Sequence, residues 1–515
     1  MKPQLIQSLK GYKKSDLLHD LTAGLMVAII ALPLSIALGI QSVPSEVSSN
    51  GIQFGIITAI VAGFFISALG GSKHQIGGPT AAFVVILYGY LANPDVGVLG
   101  LAIAGVMAGV LLILMGVFRV GSVMKYFPYP ITIGFTTGIG ITLLIGQLKD
   151  LCGFRSGGTE TIEKLVSYAQ NIATFDLATF GVGVLGLLCV ILLPKLNKKI
   201  PAAFVALIVC TGATLLLNGF ANTQIATIGS KYGEVKAGFF PVDLGAIGEV
   251  KLSALILPAI VIAFLCAIES LLSATVAAGM TGTTFDANQE LVGQGAANIF
   301  SSLLGGLPAT GAIARTAASI ENGAKSPLAG IFHALFVLVM YFALMNVVKY
   351  IPLAVFSAIL ISVAINMSRF PLFIKLTRFG VRDGIILLAT CALTVVFDLT
   401  YGVLGGVLVT LIANAKNIAV GVKICKEETA PTPTLVAKGT LFFLNANKLI
   451  DALARELESS DTVTLDMREI ERIDETATEK LATFNRKIKT QGKTLDLIGY
   501  NDTVRQRLDK YFKVF

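Results

Sequence analysis

The chain has 515 residues, of which 54% are hydrophobic and only 14% are charged. Soluble proteins carry about 25% charged residues, so this composition predicts a membrane protein and excludes an ordinary soluble one. The net charge of +8 does not indicate nucleic-acid binding, because the positive residues stand at the ends of apolar runs, as membrane topology signals do. The six cysteines are scattered without a CxxC pair, which predicts neither structural zinc nor a disulfide framework.

Apolar runs follow one another through most of the chain, and a membrane span needs about 20 such residues. They predict fourteen helical segments, twelve of full length and two of roughly half length. The full spans are predicted at 20–41, 51–70, 98–118, 129–148, 175–194, 201–218, 252–280, 290–305, 327–348, 351–367, 382–398 and 401–422. The two half-helices are predicted at 79–92 and 309–322.

Lysine and arginine residues predict the orientation of these segments. Alternate short connections carry them, whereas the short connections near 42–50, 93–97 and 399–400 carry none, and Lys349 is the exception. Cytoplasmic connections are enriched in lysine and arginine, so both termini are predicted to be cytoplasmic.

The two halves of the membrane region repeat a pattern of prolines. Gly78-Pro79-Thr80 and Leu307-Pro308-Ala309-Thr310 each open a half-helix, and their prolines lie 229 residues apart. Tyr126-Phe127-Pro128 and Tyr350-Ile351-Pro352 repeat at 224 residues. Each repeat would hold seven segments, and an odd number inverts the second copy in the membrane. The pattern therefore predicts an inverted repeat, with a binding site where the broken helices meet.

The half-helices themselves predict an anion site. A helix N-terminus carries about half a positive charge together with unpaired N–H donors, and two such termini facing each other near the middle of the bilayer would bind a small anion mainly through the backbone. The alternative is that both are proline kinks within full spans.

Two ionisable residues stand in apolar surroundings. Glu269 lies deep in a predicted span and Ser273 follows one turn later, so they could bind sodium together, or Glu269 could carry a proton. The alternative for Glu269 is a structural pair with Arg315. Arg315 could add positive charge near the anion, or it could extend to the cytoplasmic interface and position its helix.

Taken together, these motifs resemble the SulP (sulfate permease) family of anion transporters. The residues that carry the resemblance are Asp20–Leu25 with Ala31–Ser35, Gly77–Ala82, Asn288–Gly295 and Gly306–Thr316. The resemblance implies an all-α membrane domain with a 7+7 inverted repeat, divided into core and gate domains, that works as a homodimer by elevator-like motion. It implies substrate contacts at Leu34, Leu38, Thr80, Ala81, Gly311, Ala312, Ile313 and Ala314, beside Arg315. It also implies a coupling site at Glu269 and Ser273, where sodium–bicarbonate symporters have Asp and Thr, so H⁺ and Na⁺ both stay open.

The C-terminal part has a different composition. After a Pro/Thr/Glu linker at 426–433, strands alternate with helices, which predicts a small α/β domain at 434–515. This part resembles a STAS domain, in which Thr476 falls at a hydroxyl position that some such domains phosphorylate. The alternative is that Thr476 is a helix cap.

The prediction is thus a membrane domain at 1–425 (repeat one about 15–218, repeat two about 252–425) followed by a STAS domain. The expected function is secondary active transport of sulfate, bicarbonate or a dicarboxylate across a bacterial cytoplasmic membrane. No Walker, GxSxG or HExxH motif occurs, so neither an enzyme nor a cofactor is expected. The expected partners are the anion, the bilayer, a second copy and a cytoplasmic partner of the STAS domain. An anion channel, an uncoupled exchanger, a membrane-anchored STAS signalling protein and a nucleobase permease are the alternatives.

Overall fold

A computed structural model of the chain describes residues 2–121, 129–154, 161–197, 200–221, 223–243, 245, 248, 250–368, 370–377, 381–397, 399–420, 422–427, 432–501, 504–505 and 507–509. Every one of the fourteen predicted segments corresponds to a helix. Those of the first repeat are α2 (Lys14–Ser42), α3 (Gly51–Leu69), α4 (Ala81–Ala92), α5 (Gly97–Val117), α6 (Tyr129–Cys152), α8 (Leu177–Leu196) and α9 (Ala202–Phe220). Those of the second are α11 (Leu252–Thr281), α12 (Ala287–Leu303), α13 (Ile313–Glu321), α14 (Leu328–Val348), α15 (Leu353–Ser368), α17 (Val381–Val396) and α18 (Leu399–Val420).

Short helices precede or connect these segments. They are α1 (Gln4–Ser8), α7 (Thr161–Gln170), α10 (Ile228–Tyr232), α16 (Phe370–Thr377) and a 3₁₀ turn at Ile172–Thr174. Within the described ranges, nine helices are long and apolar enough to cross a bilayer. The half-helices are shorter than predicted, because the residues after each proline-containing break first form a two-residue strand or an extended cap.

The chain divides into two compact units, residues 1–122 with 139–367 and residues 123–138 with 368–515. In the first unit, α12 packs along α5 and α3, and α14 packs along α2. Glycines allow the close approach of α12 to α5, since a Cβ at Gly109 would lie 2.6 Å from the Gly295 carbonyl oxygen. Small residues at such contacts let membrane helices pack backbone against backbone.

The second unit contains the C-terminal α/β domain. Its four-stranded sheet has the order β3 (Val422–Glu427), β4 (Thr434–Leu441), β5 (Thr462–Ile473) and β6 (Thr494–Ile498). β3 is antiparallel to β4, and the other neighbours are parallel. Helices α19 (Ala446–Ser459) and α20 (Glu475–Thr490) connect the parallel strands and contribute to one apolar core with the sheet. Of the predicted linker, residues 426–427 end β3, and 428–431 lie outside the described residues.

Candidate functional site

The two broken-helix motifs meet in a short antiparallel pairing. Gly77 pairs with Gly311 and Gly78 with Thr310, forming strands β1 (Gly77–Gly78) and β2 (Thr310–Gly311). Ala312 N extends the contact by donating to Ile76 O at 2.9 Å. Because the strands run in opposite directions, α4 and α13 leave the pairing in opposite directions, and their N-termini face each other.

Both helix N-termini keep N–H donors for a ligand. Thr80 precedes α4 and Ala312 precedes α13, and within the described part of the chain neither makes a side-chain cap. The first N–H groups of a helix have no partner inside the helix. The two opposed termini therefore form an arrangement that suits a small anion.

The break before α13 is held by polar side chains from other helices. Asn298 accepts from Ala309 N and donates to Ala309 O, both at 2.9 Å. Thr58 Oγ1 accepts from Leu307 N at 2.7 Å, and Ser301 Oγ donates to Leu307 O at 2.8 Å. Non-helical backbone at membrane depth needs such partners, so these side chains fix the position of the α13 N-terminus.

Glu269 reaches the first half-helix. The Thr80 hydroxyl donates to Glu269 Oε2 at 2.9 Å, and both side chains are half-buried. A predicted substrate residue and the predicted coupling residue are thus in direct contact, at the N-terminus of α4. A change in the charge of Glu269 would act directly on an anion at that terminus.

Ser273 faces the other half-helix. It is fully buried, and its hydroxyl donates to Thr316 Oγ1 at 3.4 Å. Thr316 Oγ1 also accepts from Ile76 N at 3.1 Å. Glu269 and Ser273 lie on one side of α11, but Glu269 contacts the start of α4 and Ser273 contacts α13. Ser273 therefore helps to hold the β1–β2 pairing in place.

Arg315 is buried beside the β1–β2 pairing. Its side chain is 0% exposed, with Nη2 donating to Ser35 Oγ at 3.1 Å and Nη1 to Gly77 O at 3.4 Å. The alternative in which Arg315 extends to the cytoplasmic interface is therefore wrong, and among the described residues Arg315 forms no ion pair with Glu269. Gly78, with φ 153°, leaves room for the guanidinium, since a Cβ there would overlap Nη1. The charge thus lies behind β1, next to the start of α4.

The remaining predicted substrate residues form an apolar surface on α2 and α4, which we call the apolar wall, and a more exposed start of α13. Leu38 and Ala81 are buried in one cluster of α2 and α4, and Leu34 packs against it half-buried. Ile313 is half-buried and Ala314 is exposed at the start of α13. The structure thus brings α2, α4, α11 and α13 together around the two helix termini.

Thr476 lies at the start of α20, away from these residues in the chain. It is 2% exposed, and its hydroxyl accepts from Tyr129 N, the first residue of α6, at 2.9 Å. The cap of α20 is Asp474, which accepts from Ala477 N at 2.7 Å. Phosphorylation of Thr476 would first require this contact to open.

Several polar residues that hold the site were not predicted from the sequence to be site residues. They are Ser35, Thr58, Gln75, Asn298 and Thr316. Each lies in or next to an apolar segment, where a polar side chain needs a partner, and this is the signal that could have found them. In the ranges that the structure describes, no group of three or more His, Cys, Asp and Glu residues is arranged to hold a metal ion.

Comparisons with known proteins identify relatives of the whole chain. The family model "Sulfate permease family" matches residues 17–390, and the STAS domain model matches residues 423–512. "Putative sulfate transporter YvdB" of Bacillus subtilis is 36% identical, covering 97% of this chain and 95% of the relative. "Bicarbonate transporter BicA" of Picosynechococcus is 31% identical, covering 78% of this chain and 70% of the relative.

Solved structures share the fold. The transmembrane domain of a cyanobacterium bicarbonate transporter BicA has a TM-score of 0.68 at 28% identity, covering 76% of this chain and 98% of that one. The murine Solute Carrier 26 family member A9 anion transporter, at 18% identity, has a TM-score of 0.70 over 99% of this chain and 90% of that one. These structures confirm the predicted fold class. The family model and the relatives confirm the prediction of a transporter rather than an enzyme. This chain is a multi-pass membrane protein with a C-terminal STAS domain, and it belongs to the sulfate permease family.

Proposed function

We propose that this protein is a secondary active transporter that moves a small anion across the bacterial cytoplasmic membrane, with both termini cytoplasmic. One observation carries the proposal: the antiparallel pairing of β1 with β2 sets two uncapped helix N-termini against each other beside Glu269. Backbone N–H groups and helix dipoles at such termini favour a compact negative charge. The buried guanidinium of Arg315 adds positive charge to the same place.

The substrate class is a small anion such as sulfate, bicarbonate or a dicarboxylate. The names of the relatives support sulfate and bicarbonate. Backbone N–H groups can donate to any of these anions. The apolar side chains of Leu34, Leu38 and Ala81 limit the space beside the two helix N-termini. The anion would contact Thr80 and Ala81 on one side, and Gly311, Ala312, Ile313 and Ala314 on the other.

Coupling would act through Glu269. An ionised carboxylate hydrogen-bonded to Thr80 repels an anion at the start of α4. A proton or a sodium ion on Glu269 removes that repulsion, so cation and anion bind together, and each raises the affinity for the other by the same factor. Ser273, one turn along α11, supports this site through Thr316.

The movement would be of the elevator type, with the helices that hold the site moving as one body within a homodimer. The close packing of α12 with α5 and α3 supports a rigid moving body. The membrane domain would cover 1–425, with 426–433 as linker and the STAS domain at 434–515 binding a cytoplasmic partner.

The test is uptake into proteoliposomes of purified full-length protein. Labelled sulfate, bicarbonate and succinate are each offered with an inward sodium gradient, with an inward proton gradient, or with neither. We expect accumulation of one anion above its external concentration, with one gradient required. Currents that rise linearly with voltage and do not saturate with substrate would instead indicate a channel. Equal uptake with a sodium gradient, with a proton gradient and with neither would refute the coupling.

A further inference from the structure

A polar cavity lies farther along the first half-helix, α4, beyond the anion site proposed above. Its volume is about 120 Å³, and it is lined by the last turns of α2 and α6, by the middle of α4, and by α7 and α10. Three lysines line it, Lys149, Lys164 and Lys231, and we refer to it as the three-lysine cavity. One ordered water needs roughly 10–15 Å³ of such volume, so the cavity has room for a small ion with several waters.

Carboxylates do not balance the lysines of this cavity. The lining contains two acidic residues, Glu46 and Asp150. Asp150 is engaged by Lys231 at 3.8 Å and accepts from Gln41 Nε2 at 3.3 Å. Among the described residues, neither Lys149 nor Lys164 has a carboxylate within 4.0 Å. Among the lining residues alone, one positive charge is therefore in excess, and Glu163, next to Lys164 in the chain, offsets part of it.

Lys164 is held in a position that suits an anion. Its Nζ lies 5.4 Å from the centroid of the Tyr88 ring on α4, a contact that favours a cation. Burial lowers the pKa of Lys164, and the neighbouring charge of Lys149 lowers it further. An anion between the two ammonium groups would relieve this repulsion.

Two buried polar atoms of the lining also lack protein partners. Thr142 is 5% exposed and Gln147 is 1% exposed, and Thr142 Oγ1 and Gln147 Oε1 have no hydrogen-bond partner within the described part of the chain. The Gln147 amide is oriented by donation from Nε2 to Leu143 O at 3.3 Å. An anion in the cavity could accept from the Thr142 hydroxyl, and a water beside it could donate to Gln147 Oε1, since buried polar atoms normally have partners.

The cavity adjoins the anion site along α4. Tyr88 lies seven residues after Ala81, which is about 10 Å at 1.5 Å per residue. That distance is close to the Debye length of about 10 Å at 0.1 M salt. A positive cavity there would raise the local concentration of anions next to the helix termini.

We propose that the three-lysine cavity is a second anion site, which holds a small oxyanion between Lys149 and Lys164. Its role is to recruit the anion on the side of the membrane where α2, α4 and α6 end. The recruiting role rests on the transport function proposed above, whereas binding in the cavity does not.

Binding is tested by amine acetylation of the full-length protein in nanodiscs of zwitterionic lipid, followed by mass spectrometry. Sulfate is compared with gluconate at equal ionic strength, and Lys349 is the internal control. Lys349 also contacts a tyrosine ring, with its Nζ 5.2 Å from the Tyr350 centroid, but it does not line the cavity. We expect sulfate to slow acetylation of Lys149 and Lys164 severalfold and to leave Lys349 unchanged.

Equal acetylation rates in sulfate and gluconate would overturn the proposal. A second arm uses nanodiscs with anionic lipid. Protection that appears only there, without sulfate, would identify a lipid phosphate as the ligand and would also overturn it. If the protein transports no anion, the proposed function is refuted. The acetylation result would still show whether the cavity binds an anion.

The recruiting role is tested with Lys149→Gln and Lys164→Gln, against Lys349→Gln. At low ionic strength we expect each cavity variant to raise KM about tenfold for anion offered from the cavity side, which is the low end of electrostatic focusing. KM from the opposite side and the maximal rate stay unchanged, and the effect disappears in 1 M salt, where the Debye length is about 3 Å. An unchanged KM, or an equal rise from both sides or in Lys349→Gln, would refute recruitment.

Discussion

Replacing Glu269 with Gln should tighten anion binding while abolishing its dependence on the coupling ion. Gln keeps an oxygen that can accept from the Thr80 hydroxyl, so the hydrogen bond to α4 can persist. What is lost is the negative charge and the ability to bind a proton or sodium ion. The variant should therefore resemble the cation-loaded carrier at every pH and sodium concentration.

The size of the effect follows from the position of the carboxylate. Glu269 Oε2 lies 2.9 Å from Thr80 Oγ1, and Thr80 immediately precedes α4. An anion on the first N–H groups of α4 would lie roughly 6 Å from the carboxylate, where two like charges repel by about 2.8 kcal/mol at an effective dielectric constant of 20. Since about 1.4 kcal/mol is a tenfold change in affinity, removing the charge should lower Kd up to about 100-fold.

Titration calorimetry of the purified protein with sulfate or bicarbonate measures this directly, at two pH values, with and without sodium. Wild-type protein should bind more tightly when the coupling ion is present, and Glu269→Gln should bind tightly in every condition. Thr80→Val serves as the matched control, because it removes the donor but keeps the carboxylate, and its Kd should still respond to the coupling ion. A Glu269→Gln variant with wild-type Kd and unchanged ion dependence would refute the coupling role.

Two further predictions concern packing and pH. Gly311→Ala places a Cβ over Gln75 Nε2. We expect the free energy of unfolding to fall by about 1–3 kcal/mol and anion uptake to be lost. Gly89→Ala on α4, where a Cβ would meet nothing within 4 Å beyond its chain neighbours and its own helix backbone, should leave thermal unfolding unchanged or raise its midpoint slightly, because alanine favours a helix more than glycine does. Burial, and then the charge of Asp383, raise the pKa of Asp474, so stability should fall as pH rises from its ordinary value of about 4 through the raised one. Asp383→Asn should weaken that fall in melting curves.

The positions of the membrane helices could be predicted from the sequence because the bilayer fixes the length of each apolar run. The same holds for the place of the two half-helices, since Gly78-Pro79 and Leu307-Pro308 interrupt runs that would otherwise continue. The proline spacing also indicated which two breaks belong together. The α/β character of the C-terminal domain followed from the alternation of strands and helices.

The directions of the buried side chains could not be predicted. Arg315 reaches Ser35 on α2 rather than the cytoplasmic interface, and Ser273 contacts Thr316 rather than Glu269. Helical spacing places a residue on a face but does not say which distant segment that face meets. These contacts depend on segments that are far apart in the chain and that meet only in the folded protein.

The β1–β2 pairing has a consequence for how the protein is made. Gly77 and Gly311 are paired across 234 positions of sequence, so β1 has no partner until the second repeat has been synthesised. At about 5–20 residues per second, this takes roughly 10–50 s. During that interval the first half-helix lies in or near the bilayer with unpaired backbone groups, which is costly in hydrocarbon. The anion site is therefore the last part of the first repeat to mature, and slow translation or truncation after α9 should leave a repeat that chaperones and membrane proteases can recognise as unfinished.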